Sequence, residues 1–237
     1  MTRYQLIVAS SAVDLARQVA ERMAATIDLA LAQRDRARIA LAGGETPKAA
    51  YVHLGQEHLP WNRVDVLLGD ERWVDAADPA SNARMLQETL FAQGPASQAC
   101  FHPVPTDRAT PAESAIAYGE LLSTVCAGRP PRFDLVLLGL GDDGHTASLF
   151  PGTRATAVTD LDVTIGEGKG LPRVTLTAPV LSAARQVLFL VSGAGKQVAL
   201  RRLLDPQEPS ERTPARLVQP EQVVVILADS AAADGLA

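Results

Sequence analysis

The segment from Phe133 to Gly152 constrains the fold more than any other stretch of the chain. It opens with an unbroken apolar run, Leu135 to Leu138, which is typical of a strand buried on both faces of a parallel sheet. Three glycines, two aspartates and a histidine then follow within positions 139–145. Because open α/β sheets bind their ligands at the carboxyl ends of the strands, this pattern predicts an active site directly after the central strand.

The remaining apolar patterns predict strands that alternate with amphipathic helices. Strands are predicted at 4–9, 38–41, 64–68, 186–191 and 223–227, and helices at 13–34, 47–54, 82–90, 112–126 and 197–204. Such alternation predicts an α/β fold with a mostly parallel sheet and helices on both faces. No repeat or linker divides the chain, so we predict one domain over residues 1–237.

Three segments are predicted to depart from this regular alternation. Residues 93–111 contain Gly94 and four prolines, which predict an irregular connection. Ranges 158–165 and 173–176 flank a glycine-rich turn and predict a hairpin, a small excursion around residues 153–180. Thr46, followed by Pro47, predicts a helix start with the threonine as N-cap and the proline as first helical residue.

Composition argues against several classes of function. The 237 residues carry a net charge of −5, which favours neither nucleic acid nor an anionic membrane as a partner. No apolar run approaches membrane-spanning length, and the start of the chain lacks the pattern of a signal peptide. Cys100 and Cys126 are the only cysteines and lack metal-ligand spacing. We therefore predict a reducing, cytoplasmic location.

Asp142, Asp143 and His145 form a cluster of titratable residues after the central strand, and His145 and Asp143 are the candidate catalytic residues. Asp143 alone could simply cap a helix, and an isolated histidine is more often structural than catalytic. Two carboxylates and an imidazole together at a strand end favour a functional role instead. The same residues could suggest a metal site, but the sequence contains no partner motif that supports one.

Two familiar nucleotide and hydrolase motifs do not explain this loop. The glycines at 139, 141 and 144 match the G-x-G-x-x-G fingerprint of dinucleotide-binding proteins. We reject that interpretation because Asp142 and Asp143 would lie where a doubly charged pyrophosphate approaches a helix N-terminus. A serine-hydrolase elbow is also excluded locally, since Ser192 lacks the preceding glycine of G-x-S-x-G.

A second glycine-rich turn, Gly43-Gly44-Glu45-Thr46, predicts a cradle for an anion. Glycines before a helix start leave backbone N–H groups available to an anionic ligand. The turn is not a P-loop, so a nucleoside triphosphate is not expected. An anionic substrate needs local positive charge against the net charge of −5, and Arg72, Arg173 and Lys196 could supply it.

Five motifs are spread over nearly the whole chain. They are Leu41-Ala-Gly-Gly-Glu-Thr-Pro47, Gly69-Asp-Glu-Arg-Trp-Val74 with Ser81-Asn82, Gly139-Leu-Gly-Asp-Asp-Gly-His-Thr-Ala-Ser-Leu-Phe-Pro-Gly152, Arg173-Val-Thr-Leu-Thr-Ala-Pro179 and Ser192-Gly-Ala-Gly-Lys196. Together they strongly resemble the 6-phosphogluconolactonase family, and the third motif is the most specific. The resemblance implies one Rossmann-like α/β domain that hydrolyses 6-phospho-D-glucono-1,5-lactone, a small sugar phosphate, in the pentose phosphate pathway.

The resemblance also implies roles for individual residues. His145 would act as the base that activates water, and Asp143 would orient its imidazole. No metal or cofactor is implied. The substrate phosphate would lie on the glycine turn with Arg173 and Lys196. Arg72 would contact the developing charge or the polar end of the substrate. The assignment of these three cations to the phosphate or to the lactone stays open. The implied substrate-binding residues are Gly43, Gly44, Thr46, Asp70, Arg72, Arg173 and Lys196.

Two other functions fit the same fold and are disfavoured by particular residues. A non-catalytic sugar-phosphate sensor resembles regulators that usually carry a helix-turn-helix, and the strand predicted from Tyr4 leaves no room for one. Related glucosamine-6-phosphate deaminases carry a catalytic glutamate shortly after Asp-Gly-His. Here that region is Ser148-Leu149-Phe150, which contains no acid.

Overall fold

The computed structural model describes residues 3–236, within which ten strands and seven α-helices alternate. The strands are β1 Tyr4–Ala9, β2 Ala37–Leu41, β3 Val64–Leu68, β4 Asp70–Arg72, β5 Cys100–Phe101, β6 Leu135–Gly139, β7 Val163–Gly168, β8 Leu171–Leu176, β9 Val187–Val191 and β10 Val224–Asp229. The helices are α1 Ala12–Gln33, α2 Lys48–Gly55, α3 Asn82–Glu88, α4 Pro111–Val125, α5 Ala178–Ser182, α6 Gln197–Leu204 and α7 Ser230–Ala233.

Seven strands form a parallel sheet in the order β1-β10-β9-β6-β2-β3-β5. The predicted α/β architecture is confirmed, and β6 lies at the centre of the sheet. Leu135 to Leu138 are at most 1% exposed, as expected for a strand covered on both faces. Because the strands run parallel, the segments that follow β2, β3, β6 and β9 all emerge at one edge.

A second, antiparallel sheet has the order β4-β8-β7 and confirms the predicted excursion with its hairpin. The strand β4 was not predicted, because its three polar residues follow Gly69 directly and carry no apolar alternation. It is defined only by pairing with β8, where Arg72 lies opposite Arg173. The small sheet therefore places two arginines side by side at the edge where the large sheet ends.

Within residues 3–236, four of the seven α-helices begin with a side-chain N-cap, and one of the predicted caps is absent. Ser81 caps α3 as predicted, because its hydroxyl accepts a hydrogen bond from the Arg84 N–H. The prediction that Thr46 caps α2 is wrong. Pro47 is the N-cap, no side chain bonds the first turn, and the helix begins at Lys48. The start of α2 therefore leaves its N–H groups without a side-chain partner.

Other sequence predictions differ from the structure only in detail. The irregular connection at 93–111 contains the two-residue strand β5, which is too short for any periodicity to reveal. The Ala-rich tail forms the short helix α7. The predicted domain includes positions 1, 2 and 237, which lie outside the described residues. Among residues 3–236, no helix is both long enough and apolar enough to cross a membrane.

Candidate active site

A cleft of about 320 Å³ opens at the carboxyl edge of the parallel sheet. Its walls come from the segments after β2, β3, β6 and β9 and from the small sheet. Eight of the nine predicted site residues line the cleft directly: Gly43, Gly44, Thr46, Asp70, Arg72, His145, Arg173 and Lys196. The ninth, Asp143, contacts the cleft wall through His145.

His145 and Asp143 are joined by a short hydrogen bond. His145 Nδ1 lies 2.5 Å from Asp143 Oδ1, and the same oxygen accepts from the His145 backbone N–H at 3.0 Å. Burial lowers the pKa of His145 below its ordinary value of 6.5, and the Asp143 carboxylate opposes that shift. Because Asp143 engages Nδ1, Nε2 is the ring nitrogen that can accept a proton.

Gly141 allows this pair to form. A Cβ at position 141 would lie 2.0 Å from His145 Nδ1 and 2.6 Å from Asp143 Oδ1, so no larger residue fits without displacing the ring. The Gly141 N–H donates to the His145 carbonyl at 2.8 Å, which folds the loop back on itself. Gly144 completes the turn with a φ of +88°, a conformation that favours glycine. The glycine spacing thus serves a tight turn that fixes the imidazole.

Phe150 supports His145 from the side. The two ring centroids are 4.3 Å apart with an interplanar angle of 32°. The guanidinium carbon of Arg173 lies 5.4 Å from the centroid of the same phenyl ring. Phe150 therefore contacts both the imidazole and a cation, and it lies in the segment where the sequence lacks an acid.

Arg72 and Arg173 are cross-strand neighbours on β4 and β8. The Arg173 side chain is only 7% exposed, and its Nη1 lies 3.6 Å from Asp70 Oδ2. Ser148 Oγ donates to that same carboxylate oxygen at 2.5 Å. Burial lowers the pKa of Arg173, while Asp70 opposes that shift. Arg173 is thus paired with Asp70 at this wall of the cleft, and Arg72 lies beside it on the neighbouring strand.

The Gly43–Thr46 turn packs against Asn82. A Cβ on Gly43 would lie 1.8 Å from Asn82 Oδ1, so glycine is required for this approach. That oxygen accepts from Arg72 Nη1 at 2.7 Å, and Asn82 Nδ2 donates to the Asp70 backbone carbonyl at 2.8 Å. The glycine turn, Asn82 and Arg72 therefore form one connected unit beside the cleft.

Lys196 and Lys169 stand at the mouth of the cleft on either side of Asp142. Their Nζ atoms lie 4.0 Å and 3.7 Å from Asp142 Oδ1, respectively. The exposed fractions are 27% for Lys196, 53% for Lys169 and 70% for Asp142. The backbone N–H of Asp142 and the two lysines lower the pKa of this carboxyl. These contacts are longer than the contact between His145 and Asp143, and the Asp142 side chain is largely exposed.

Outside the predicted glycine turn, three polar residues that line the cleft were missed as site residues by the sequence analysis: Asn82, Lys169 and Ser192. Asn82 was noted only beside the helix cap Ser81. Lys169 lies in the glycine-rich turn of the β7–β8 hairpin, and its φ of +53° is uncommon for a lysine. Lys169 could have been predicted as a site residue from its position, since it is a cation at the tip of a hairpin next to the predicted site.

Comparisons with known proteins identify the family of this chain. The profile of the family described as glucosamine-6-phosphate isomerases/6-phosphogluconolactonase matches residues 10–227. The 6-phosphogluconolactonase of Synechocystis sp. is 45% identical over 213 residues, covering 89% of each chain. That of Nostoc sp. is 41% identical over 209 residues, covering 87% of each chain.

Solved structures give the same result. The 6-phosphogluconolactonase of Trypanosoma brucei superposes with a TM-score of 0.87 at 30% identity, covering 100% of both chains. That of Shewanella baltica gives 0.87 at 28% identity and covers 97% of this chain and 98% of its own. The chain belongs to the glucosamine-6-phosphate isomerase/6-phosphogluconolactonase family.

Proposed function

We propose that this enzyme hydrolyses 6-phospho-D-glucono-1,5-lactone to 6-phospho-D-gluconate in the pentose phosphate pathway. The observation that carries the proposal is the hydrogen-bonded Asp143–His145 pair on the wall of a cation-lined cleft, in a chain whose relatives bear this activity's name. A lactone is an activated ester, so a base, a water and a stabilised oxyanion are sufficient for its hydrolysis.

In this proposal His145 is the general base. Its lowered pKa keeps the imidazole neutral near pH 7, and Asp143 holds the proton on Nδ1. Nε2 then takes a proton from the water that attacks the lactone carbonyl. Asp143 also stabilises the imidazolium that forms, and its own pKa is low because its hydrogen bonds from His145 outweigh the opposing effect of burial.

The cations divide into two groups by their contacts. Arg173 packs on the phenyl ring that supports His145, so we assign it to the developing oxyanion. Arg72 bonds Asn82 beside the Gly43–Thr46 turn, so we assign it, with Lys196, to the phosphate. This assignment exchanges the two arginines relative to the sequence expectation, and phosphate binding would then orient the lactone remotely.

The rival deaminase and sensor functions are less well supported. Phe150 gives the loop after His145 an apolar support and no acid for ring-opening chemistry. A sensor has no need for a carboxylate that fixes the tautomer of a histidine. Independence from metals and cofactors, a cytoplasmic location and the absence of nucleic-acid and membrane partners stay predictions. In the part of the chain that the structure describes, no cluster of three metal-ligating side chains occurs.

The decisive experiment measures acid release from freshly generated 6-phosphogluconolactone, corrected for spontaneous hydrolysis. We expect catalysed turnover that EDTA leaves unchanged, and a kcat/KM about 10- to 100-fold lower for unphosphorylated gluconolactone. Tryptophan fluorescence titrated with 6-phosphogluconate serves as the binding control. Binding without turnover would favour the sensor, whereas equal kcat/KM for the two lactones would remove the phosphate assignment.

A further inference from the structure

A second cavity of about 470 Å³ lies at the opposite edge of the parallel sheet, away from the cleft. It is bordered by residues at or just before the amino ends of β2, β6 and β9, which are neighbouring strands. Five arginines line it, whereas the chain as a whole carries a net charge of −5. They are Arg34, Arg38, Arg129, Arg132 and Arg185. We call this group the arginine cavity.

The carboxylates of the arginine cavity offset only part of this charge. Asp134 is 3% exposed, and its Oδ1 lies 2.9 Å from Arg34 Nε and 3.3 Å from Arg185 Nε. Glu221 Oε2 lies 3.6 Å from Arg132 Nη2 and is largely exposed. Two carboxylates against five guanidinium groups leave a local surplus of three positive charges.

Much of the hydrogen-bonding capacity of these arginines is unused. Arg38 donates through Nε to the Val125 carbonyl, and the ion pairs of Arg34 and Arg185 also run through Nε. Arg129 makes no ion pair or side-chain hydrogen bond within residues 3–236. Because each guanidinium presents five N–H donors, the terminal nitrogens of several arginines are available to a ligand in the cavity.

We propose that the arginine cavity binds a small polyanion with two phosphate or carboxylate groups. Guanidinium groups recognise both through paired N–H donors, and the surplus of three charges matches a ligand with more than one anionic group. A cavity of this size admits a metabolite. The strands between the two sites rise about 16 Å over five residues, so a ligand here would not overlap a substrate in the cleft.

The test is calorimetric titration of the whole enzyme with pyrophosphate and, separately, with citrate. We expect at least one of them to bind, and its Kd to rise about tenfold in the double variant Arg129→Gln/Arg185→Gln. The matched control, Arg17→Gln/Arg84→Gln, removes the same charge from exposed helix ion pairs and should bind like wild type. Lactone hydrolysis should be unchanged in both double variants.

Two further measurements keep the result unambiguous. Titration of the Lys196→Ala variant with the same probes distinguishes the arginine cavity from the cleft. The arginine cavity should bind the probe with unchanged Kd in that variant. If the double variant fails to fold, Arg129→Gln alone replaces it, since the Arg129 side chain lines the cavity and makes no ion pair or hydrogen bond within residues 3–236. Absence of binding by both probes, equal affinity in the arginine variants, or binding abolished by Lys196→Ala would overturn the proposal.

Discussion

The two sides of the cleft are built differently. On the histidine side, which comprises Gly141, Asp143, His145 and Phe150, the Nδ1–Oδ1 distance is 2.5 Å and the imidazole is 84% covered. On the lysine side, which comprises Asp142, Lys169 and Lys196, the charged atoms are 3.7–4.0 Å apart and Asp142 is 70% exposed. The histidine side is preorganised before any ligand arrives, whereas the lysine side has contacts weak enough to be exchanged for a phosphate. We therefore expect kcat to depend on the histidine side and KM on the lysine side.

Removal of the base should have the largest effect. His145→Ala should lower kcat by about 10²- to 10⁴-fold, the usual contribution of general base catalysis, with little change in the affinity for 6-phosphogluconate. Steady-state hydrolysis and a fluorescence titration measure the two quantities. His53→Ala is the matched control, because His53 is exposed on α2 and should leave both unchanged. A folded His145→Ala enzyme with wild-type kcat would refute the assignment of the base.

Displacement of the imidazole should lower kcat nearly as much as its removal. Gly141→Ala puts a methyl group 2.0 Å from His145 Nδ1, and a shift of about 1 Å in a catalytic group can lower kcat about 100-fold. Gly195→Ala is the control, because a Cβ there meets no atom within 4 Å and the residue does not line the cleft. Equal kcat for the two variants would show that the histidine side tolerates displacement.

The enzyme should lose activity at acid pH because His145 becomes protonated. The base must be neutral, and burial lowers its pKa, so kcat/KM should be constant near pH 7 and fall about tenfold per unit below an inflection under pH 6.5. Asp143→Asn removes the group that raises the pKa of His145, so the inflection should move to lower pH. Rate profiles from pH 5 to 8 test this, and an inflection above pH 7 would contradict it.

Substitution on the lysine side should change KM for the substrate rather than kcat. Lys196→Ala should raise KM by one to two decades, because a charge-assisted hydrogen bond to phosphate contributes about 1.5–3 kcal/mol in both the ground and transition states. Lys48→Ala, which removes an exposed lysine paired with Glu45, should change KM far less. A fall of several decades in kcat with unchanged KM would move Lys196 to the carbonyl.

The smallest effect is expected at Asp142. Asp142→Asn removes the carboxylate that competes with phosphate for two lysines, so KM should fall by about threefold or less. The free energy of unfolding should hardly change, because exposed ion pairs contribute about 0–1 kcal/mol. Both are measured in low salt, where screening is weakest. A large rise in KM would indicate that Asp142 positions the lysines before the substrate binds.

Local sequence predicted the histidine side well. Gly141, Asp143 and His145 lie within five positions, so one tight turn after a buried strand is enough to bring them together. The parallel sheet was predictable for a similar reason, since each buried strand carries its own apolar run. The strand β4 and residues Asn82 and Lys169 were not predicted, because their positions depend on pairing with β8 and on packing against Gly43.

The sequence by itself therefore determined the α/β architecture and the position of the loop that holds Asp143 and His145, because periodicity and turn chemistry act over a few residues. Only the tertiary structure decided that Arg72 lies opposite Arg173 and that Phe150 contacts both Arg173 and His145. The arginine cavity is an extreme case, since its cations come from positions 34 to 185 and no local pattern connects them. Charges from distant segments meet where the strands of the sheet begin, and that meeting depends on strand order rather than on spacing along the chain.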